Sequence, residues 1–217
     1  MKLDELNVPI SEQAVRNLAM GDVVFLSGVV HTLRDAGYER TLTSLRGGRA
    51  LPFSLKGGAI WHCGPIVKKT RSGWQVMAAG STTSSRFTRP AAELIAKVGL
   101  RAIIGKGDMG EETVGAMRKQ GACYLMTTGG AAAFYSQRIR RVEDVHWLDL
   151  GMPAAVWVLS VEKLGPLLVC IDSQGHSLFE LVRSDAWKNV EAIYEELGID
   201  RLHEYTWWPR AIPTARS

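Results

Sequence analysis

Apolar residues in this chain fall in short unbroken runs, separated by glycine-rich turns and by segments with helical spacing. Runs of this length, rich in valine and isoleucine, predict strands buried on both faces. A short helix from Ser11 to Ala19, with Ser11 as N-cap, precedes the first run, DVVFLSGVV (22–30). That run continues through His31 to Asp35, which suits the N-cap of a helix from Ala36 to Leu45. After a glycine-rich loop (46–55), GGAIWHCGPIV (57–67) reads as a second strand broken at Gly64-Pro65. A hairpin-like turn and the strand WQVMAAG (74–80) come next. The hydroxyl-rich run Ser81 to Phe87 then leads to a helix from Pro90 to Val98. Arg101 to Ile104 predicts a strand, Glu111 to Gly121 a helix, and ACYLMTT (122–128) a further strand. AAAFYSQRI (131–139) reads as a small-residue helix, and the segment that begins RRVEDVHWLDLGMP (140–153) contains a loop with an ordered stretch from Trp147 to Pro153. AVWVLSV (155–161) and GPLLVCI (165–171) read as two strands, the second continuing past Ser173-Gln174-Gly175 as a hairpin. A helix from Ser184 to Gly198 carries Trp187, Val190, Ile193, Tyr194 and Leu197 on one stripe.

This alternation predicts one α/β domain over residues 1–206, layered around a largely parallel central sheet, with 207–217 as a tail outside it. In such sheets ligands gather at the carboxyl ends of the strands. Three strand-to-helix turns fall there, and each carries a cation: Arg34, Arg86 and Lys106. On turn chemistry alone Arg34 reads as a solvated turn arginine. Arg86 follows four hydroxyl residues, Thr82, Thr83, Ser84 and Ser85. A helix cap needs no cation, whereas a carboxylate accepts a guanidinium together with hydroxyl and backbone N–H donors. Lys106 stands between two glycines just before a helix, where free N–H groups favour an anion.

The same turn, GKGDMG (105–110), matches the spacing G-x-G-x-x-G of dinucleotide sites. Its context does not match. The following strand ends in Met126-Thr127-Thr128, with no acidic residue to hold a ribose, and Gly107 stands where a phosphate-loop magnesium ligand would be. His62-Cys63 lacks a second pair at metal-ligand spacing, so core packing accounts for it and no metal is expected on this chain.

Composition narrows the reading. A total of 26 Lys+Arg against 22 Asp+Glu, scattered rather than striped, argues against a nucleic-acid surface. Three separated cysteines (Cys63, Cys123, Cys170) argue for a reducing cytoplasm and against a metal cluster held by this chain alone. The N-terminal segment lacks the apolar core of a secretion signal, and no apolar run is long enough to span a bilayer, so a cytoplasmic protein without membrane contact is expected. Seven tryptophans offer more aromatic surface than the core requires, which suits a protein partner as well as ordinary packing.

HCGPIV (62–67), TTSSRF (82–87), GKGDMG (105–110), TTGGAAAF (127–134), VHWLDLGMP (145–153) and VCIDSQG (169–175), with the Arg34-Asp35 turn, occur in one order. Together they resemble the β subunit, or C-terminal region, of class I iron–sulfur fumarate hydratases and L(+)-tartrate dehydratases. The resemblance implies a swivelling β/β/α domain and a hydro-lyase active only as a hetero-oligomer of α and β. It also implies a [4Fe–4S] cluster bound by the α subunit, with one open iron acting on the departing hydroxyl of a C4 dicarboxylate. Arg34, Arg86 and Lys106 would then bind the substrate, helped by Thr83, Ser84 and Ser85, and Thr82 would serve the proton transfer. The chain departs from the family pattern at Ser81, Asp108, Ala154 and Gly37. A non-catalytic dicarboxylate-binding subunit would use the same cations.

Overall fold

The computed structural model describes residues 2–71 and 73–199. By its internal contacts the chain divides into Met1–Phe179 and a second unit beginning at Glu180. The tail predicted for 207–217 lies outside the described residues.

The first unit is a mixed α/β structure. Strand β1 (Leu3–Val8) and the short helix α1 (Glu12–Arg16) precede β2 (Val23–Thr32), and α2 (Asp35–Arg46) follows it. Strand β3 (Ala59–Trp61) is short, and β4 (Ile66–Thr70) and β5 (Gly73–Ala78) form a separate antiparallel pair. Helix α3 (Thr88–Val98), β6 (Ala102–Gly105), α4 (Glu111–Gln120), β7 (Cys123–Met126) and α5 (Ala132–Ser136) alternate through the middle. Strands β8 (Ile139–His146) and β9 (Val156–Ile171) close the unit.

Strands β1, β2, β3, β6 and β7 run parallel, so the central sheet is largely parallel as its unbroken apolar runs require. The sheet is not flat. Antiparallel β9 pairs with β2 along one edge and with both β7 and β8 along the other. The pairings β2–β3–β6–β7–β9–β2 therefore form a ring. Alternate residues divide between two cores. Ala59, Trp61, Ala102, Ile104, Cys123 and Leu125 join one apolar cluster. Ile60, Ile103 and Tyr124 face a second cluster built with Leu42, Leu94, Ile95 and Met117 from the helices.

Several elements differ from the sequence expectation. Segment LDELNV is a strand, although its half-buried residues are too few and too polar to show as an apolar run. RRVEDVH, for which no strand was expected, belongs to β8, whose exposed charges are interspersed with half-buried Ile139, Val142 and Val145. AVWVLSV and GPLLVCI are one 16-residue strand, since left-handed Lys163 (φ 48°) and Gly165 (φ 159°) let the chain bulge without leaving the ladder. The hairpin expected after Gly175 is a single bridge, Ile171 to Ser177, after which α6 (Leu178–Leu197) begins. Gly64-Pro65 does break its run, and the break carries the chain from the central sheet to the β4–β5 pair. Helix α6, mostly in the second unit, carries the predicted apolar stripe.

Candidate functional site

The carboxyl ends of β2, β3, β6 and β7 present four connections close together. Leu33 N–H bonds to the Trp61 carbonyl (2.9 Å), and Arg34 is left as the residue before α2. Asp35 was expected to cap this helix. Instead it is the first helical residue, in the left-handed region at φ 23°, and its carboxylate makes no cap bond. One oxygen, Oδ2, accepts from Arg34 Nε (3.0 Å) and from Arg86 Nη2 (3.2 Å). Two guanidinium groups from separate turns thus meet on one carboxylate oxygen. A left-handed backbone costs a non-glycine residue roughly 1–3 kcal/mol, and these partly exposed ion pairs return only part of it. A cleft of about 290 Å³ runs beside Asp35 and Arg86, bounded by Tyr38, Phe87 and Pro90.

Gly64 fixes where the Arg34 guanidinium lies. A methyl group there would sit 2.5 Å from Arg34 Nη1 and 2.9 Å from the Pro153 carbonyl. Gly64→Ala is therefore expected to displace the Arg34 head, weakening carboxylate binding about tenfold, and also to lower the unfolding midpoint, because the Pro153 backbone carbonyl must move as well. Calorimetric ligand titration beside a thermal melt checks both halves. Unchanged binding would show that Arg34 does not act from this position.

The hydroxyl turn is stitched to the Lys106 turn. Thr83 and Lys106 form a parallel bridge, Ser84 N–H donates to the Lys106 carbonyl (2.8 Å), and Lys106 N–H donates to Ser84 Oγ (3.2 Å). The stem of Lys106 passes Gly129, where a methyl group would lie 3.4 Å from Lys106 Cδ. Thr82 N–H donates to the His62 carbonyl (2.6 Å), and Thr82 is half-buried while Thr83, Ser85 and Arg86 are exposed. Ser81 Oγ accepts from Trp61 Nε1 (2.7 Å) and lies 2.6 Å from Thr127 Oγ1. Arg34, Arg86 and Lys106 thus stand on turns that are directly joined.

Ser84 differs from its exposed neighbours. It is fully buried, and its hydroxyl contacts His62 Nδ1 (2.8 Å), Tyr124 Oη (3.0 Å) and the Lys106 N–H. A hydroxyl has one proton and two acceptor sites, so nothing remains for a ligand. Ser84 holds the turns together. The glycine string has the same cause: a methyl at position 105 would lie 1.9 Å from Ser84 Oγ, Gly107 takes a left-handed turn (φ 74°), and Gly110 packs on Thr88. The G-x-G-x-x-G spacing thus follows from packing between turns.

His62 reads from the sequence as a core residue, and Tyr38 and Tyr124 are not singled out there. His62 is fully buried, burial followed by the nearby Arg86 charge pushes its imidazole down to about 3, and it reaches Tyr38 Oη (2.7 Å) as well as Ser84. Only the spacing of a histidine one strand-end away from a hydroxyl run could have hinted at this. Two departures from the family pattern are neighbours, since a methyl at Gly37 would lie 3.1 Å from the Ala154 carbonyl.

The cysteines are a poor match for an iron–sulfur cluster. All three are free and buried, and burial pushes each thiol up to about 12. Cluster ligation needs accessible thiolates close together. Among the described residues no group of three or more His, Cys, Asp or Glu side chains is placed to hold a metal, and no helix is long and apolar enough to cross a membrane.

Comparison with known proteins places the chain in a family. Residues 1–182 match the family model described as fumarase C-terminus. The "L(+)-tartrate dehydratase subunit beta" of Escherichia coli K12 is 37% identical over 192 residues, covering 88% of this chain and 94% of that protein. The "Putative L(+)-tartrate dehydratase subunit beta" of Methanocaldococcus jannaschii is 37% identical over 185 residues, or 85% of this chain and 95% of that one. The "Putative fumarate hydratase class I" of Geobacillus stearothermophilus is 38% identical over 191 residues, 88% of this chain but 36% of that longer protein.

Proposed function

This chain belongs to the fumarase C-terminus family, and we propose that it is the β subunit of an iron–sulfur hydro-lyase acting on a C4 2-hydroxy dicarboxylate. The reaction is malate–fumarate interconversion or dehydration of L-tartrate to oxaloacetate. The observation that supports it most is the meeting of Arg34 and Arg86 on one carboxylate oxygen, beside a turn that carries Thr82, Thr83 and Lys106. Two guanidinium groups that already share a carboxylate can take one end of a diacid, and Lys106 the other.

Removing a proton from the carbon beside a carboxylate drives extra negative charge onto that carboxylate. Cations fixed beforehand stabilise that charge more than they stabilise the bound substrate. Thr82, anchored by its own N–H, is placed in this reading beside that carbon. Its hydroxyl is too weak an acid to ionise unaided, so it acts with the neighbouring cations and an acid from the partner. Thr83 and Ser85 are exposed on the same turn and serve binding, and Ser84 positions them. The [4Fe–4S] cluster belongs to the α subunit, in keeping with buried thiols here that do not suit ligation. The fold is read as the family's swivelling β/β/α domain and the assembly as a cytoplasmic α–β hetero-oligomer.

Anaerobic co-expression with a cluster-binding α partner tests this, with fumarate absorbance and oxaloacetate formation followed in parallel. The isolated chain is expected to show no turnover, and the complex a turnover lost on exposure to oxygen. If the chain binds fumarate or tartrate and no partner restores turnover, a non-catalytic dicarboxylate-binding subunit replaces the present reading.

A further inference from the structure

We infer that His62 is a positioning residue, held as the Nδ1–H tautomer in the middle of a proton-ordered relay that ties the Arg34 turn to the Lys106 turn. The relay runs Tyr38 Oη, His62 Nε2, His62 Nδ1, Ser84 Oγ, Tyr124 Oη and the Gly107 carbonyl, with separations of 2.7, 2.8, 3.0 and 2.9 Å. Tyr38 lies one turn into α2 beyond Arg34 and Asp35, and Gly107 follows Lys106. Its functional half rests on the hydro-lyase reading; its chemical half does not.

The order of the protons follows from their number. Tyr124 Oη is placed to donate both to Ser84 Oγ and to the Gly107 carbonyl but has one proton; the carbonyl can only accept, so we assign that proton to it and let the Ser84 hydroxyl donate across the Ser84–Tyr124 contact. Ser84 has then used its one proton, so at His62 it accepts, as it does from the Lys106 N–H. His62 Nδ1 must therefore carry the hydrogen. A neutral imidazole has only one, which leaves Nε2 bare to accept from Tyr38. In the opposite order Tyr124 turns away from the Gly107 carbonyl, and the proton of buried Tyr38 meets no acceptor. An unmade buried hydrogen bond costs about 1–3 kcal/mol, enough to decide between the two orders. Gly105 is the space that permits this, since any side chain there would overlap Ser84 Oγ. The relay holds α2, the hydroxyl turn and the Lys106 turn at one spacing, and that spacing sets the gap a diacid must bridge between the Arg34–Arg86 pair and Lys106.

Nitrogen-15 spectra of the full chain, labelled at histidine, test the tautomer without substrate or partner. The signal missing from His62→Gln identifies the residue, and the expected pattern is a protonated Nδ1 with a bare Nε2. Ser84→Ala removes the acceptor and should turn the ring to Nε2–H, donating to Tyr38, whereas Tyr38→Phe should leave Nδ1–H in place. A protonated Nε2 in the unaltered chain, or a tautomer indifferent to Ser84→Ala, overturns the relay. Should Ser84→Ala fail to fold, the unaltered chain and Tyr38→Phe still decide it. In the α–β complex, Tyr38→Phe should raise KM for the dicarboxylate about three- to tenfold with kcat nearly unchanged. A fall in kcat at constant KM, the mark of lost active protein, overturns the positioning role. An unaltered complex without turnover would sink the hydro-lyase reading and leave the relay to the spectra.

Discussion

Arg86→Ala is expected to lower kcat/KM of the anaerobic α–β complex by about a hundredfold, and Arg34→Ala by a similar factor. Each removes a charge-assisted contact worth roughly 1.5–3 kcal/mol, which corresponds to about ten- to a hundredfold in binding. The upper end is expected because Asp35 stays behind. With one arginine gone, Asp35 Oδ2 has a single guanidinium left to hold, and that group is drawn from the substrate. The same sharing makes the two losses less than additive, so the double variant should fall short of the product of the singles. Lysine at either position should restore little, since an ammonium cannot grip Asp35 and a substrate carboxylate through one planar fork. Steady-state kinetics of the unaltered complex, the two alanine variants, the double variant and the two lysine variants measures all of this. Full turnover in Arg86→Ala would remove Arg86 from the site.

Acid should destabilise the first unit well above the carboxylate range. His31 is buried, one of its ring nitrogens, Nδ1, has no hydrogen-bond partner among the described residues, and burial together with nearby His146 pushes its imidazole down to about 4. His62 is pushed to about 3. Both groups take up a proton near pH 6.5 when unfolded and resist it when folded. As pH falls below 6.5 the unfolded state therefore binds more protons, and stability is lost until the folded values are reached. The two together remove about 5 kcal/mol between pH 7.5 and 4.5, with a limiting slope of about 2.7 kcal/mol per pH unit. Carboxylates such as Asp22, held low first by the Lys2 backbone N–H, add their loss only below that window. Denaturant unfolding at successive pH values gives the slope directly. His31→Phe, which keeps the ring beside Phe53 and removes the unpaired nitrogen, should halve it. A slope that survives this change would assign the acid sensitivity elsewhere.

The inner parallel strands β3, β6 and β7 were legible because their residues are buried on both faces, and such a run reads the same in sequence as in space. β1 and β8 were not legible, since an edge strand with half-buried residues carries little apolar signal. The long β9 was split in reading because Gly165-Pro166 looks like an end. Only the ladder with β2, continuous on either side of it, shows otherwise.

For the candidate site, the cations and the turns that carry them followed from residue type and position alone. Arg34, Arg86 and Lys106 each fall where a strand gives way to a helix, and local chemistry is enough to mark them. Their relation is a matter of distance between segments far apart in the chain, which no local pattern encodes. Folding made Asp35 a shared acceptor rather than a helix cap, turned Ser84 inward while its neighbours stayed outside, and converted the glycine string from a suspected phosphate loop into clearance for a hydroxyl. The sequence by itself determined which charges are available and in which turns, but not that the Arg86 turn leaves β5 of the separate antiparallel pair rather than a strand of the central sheet. The tertiary structure decided which of them meet, because that depends on the closing of the β2–β9 ring and on a buried histidine whose side-chain partners come from two other segments.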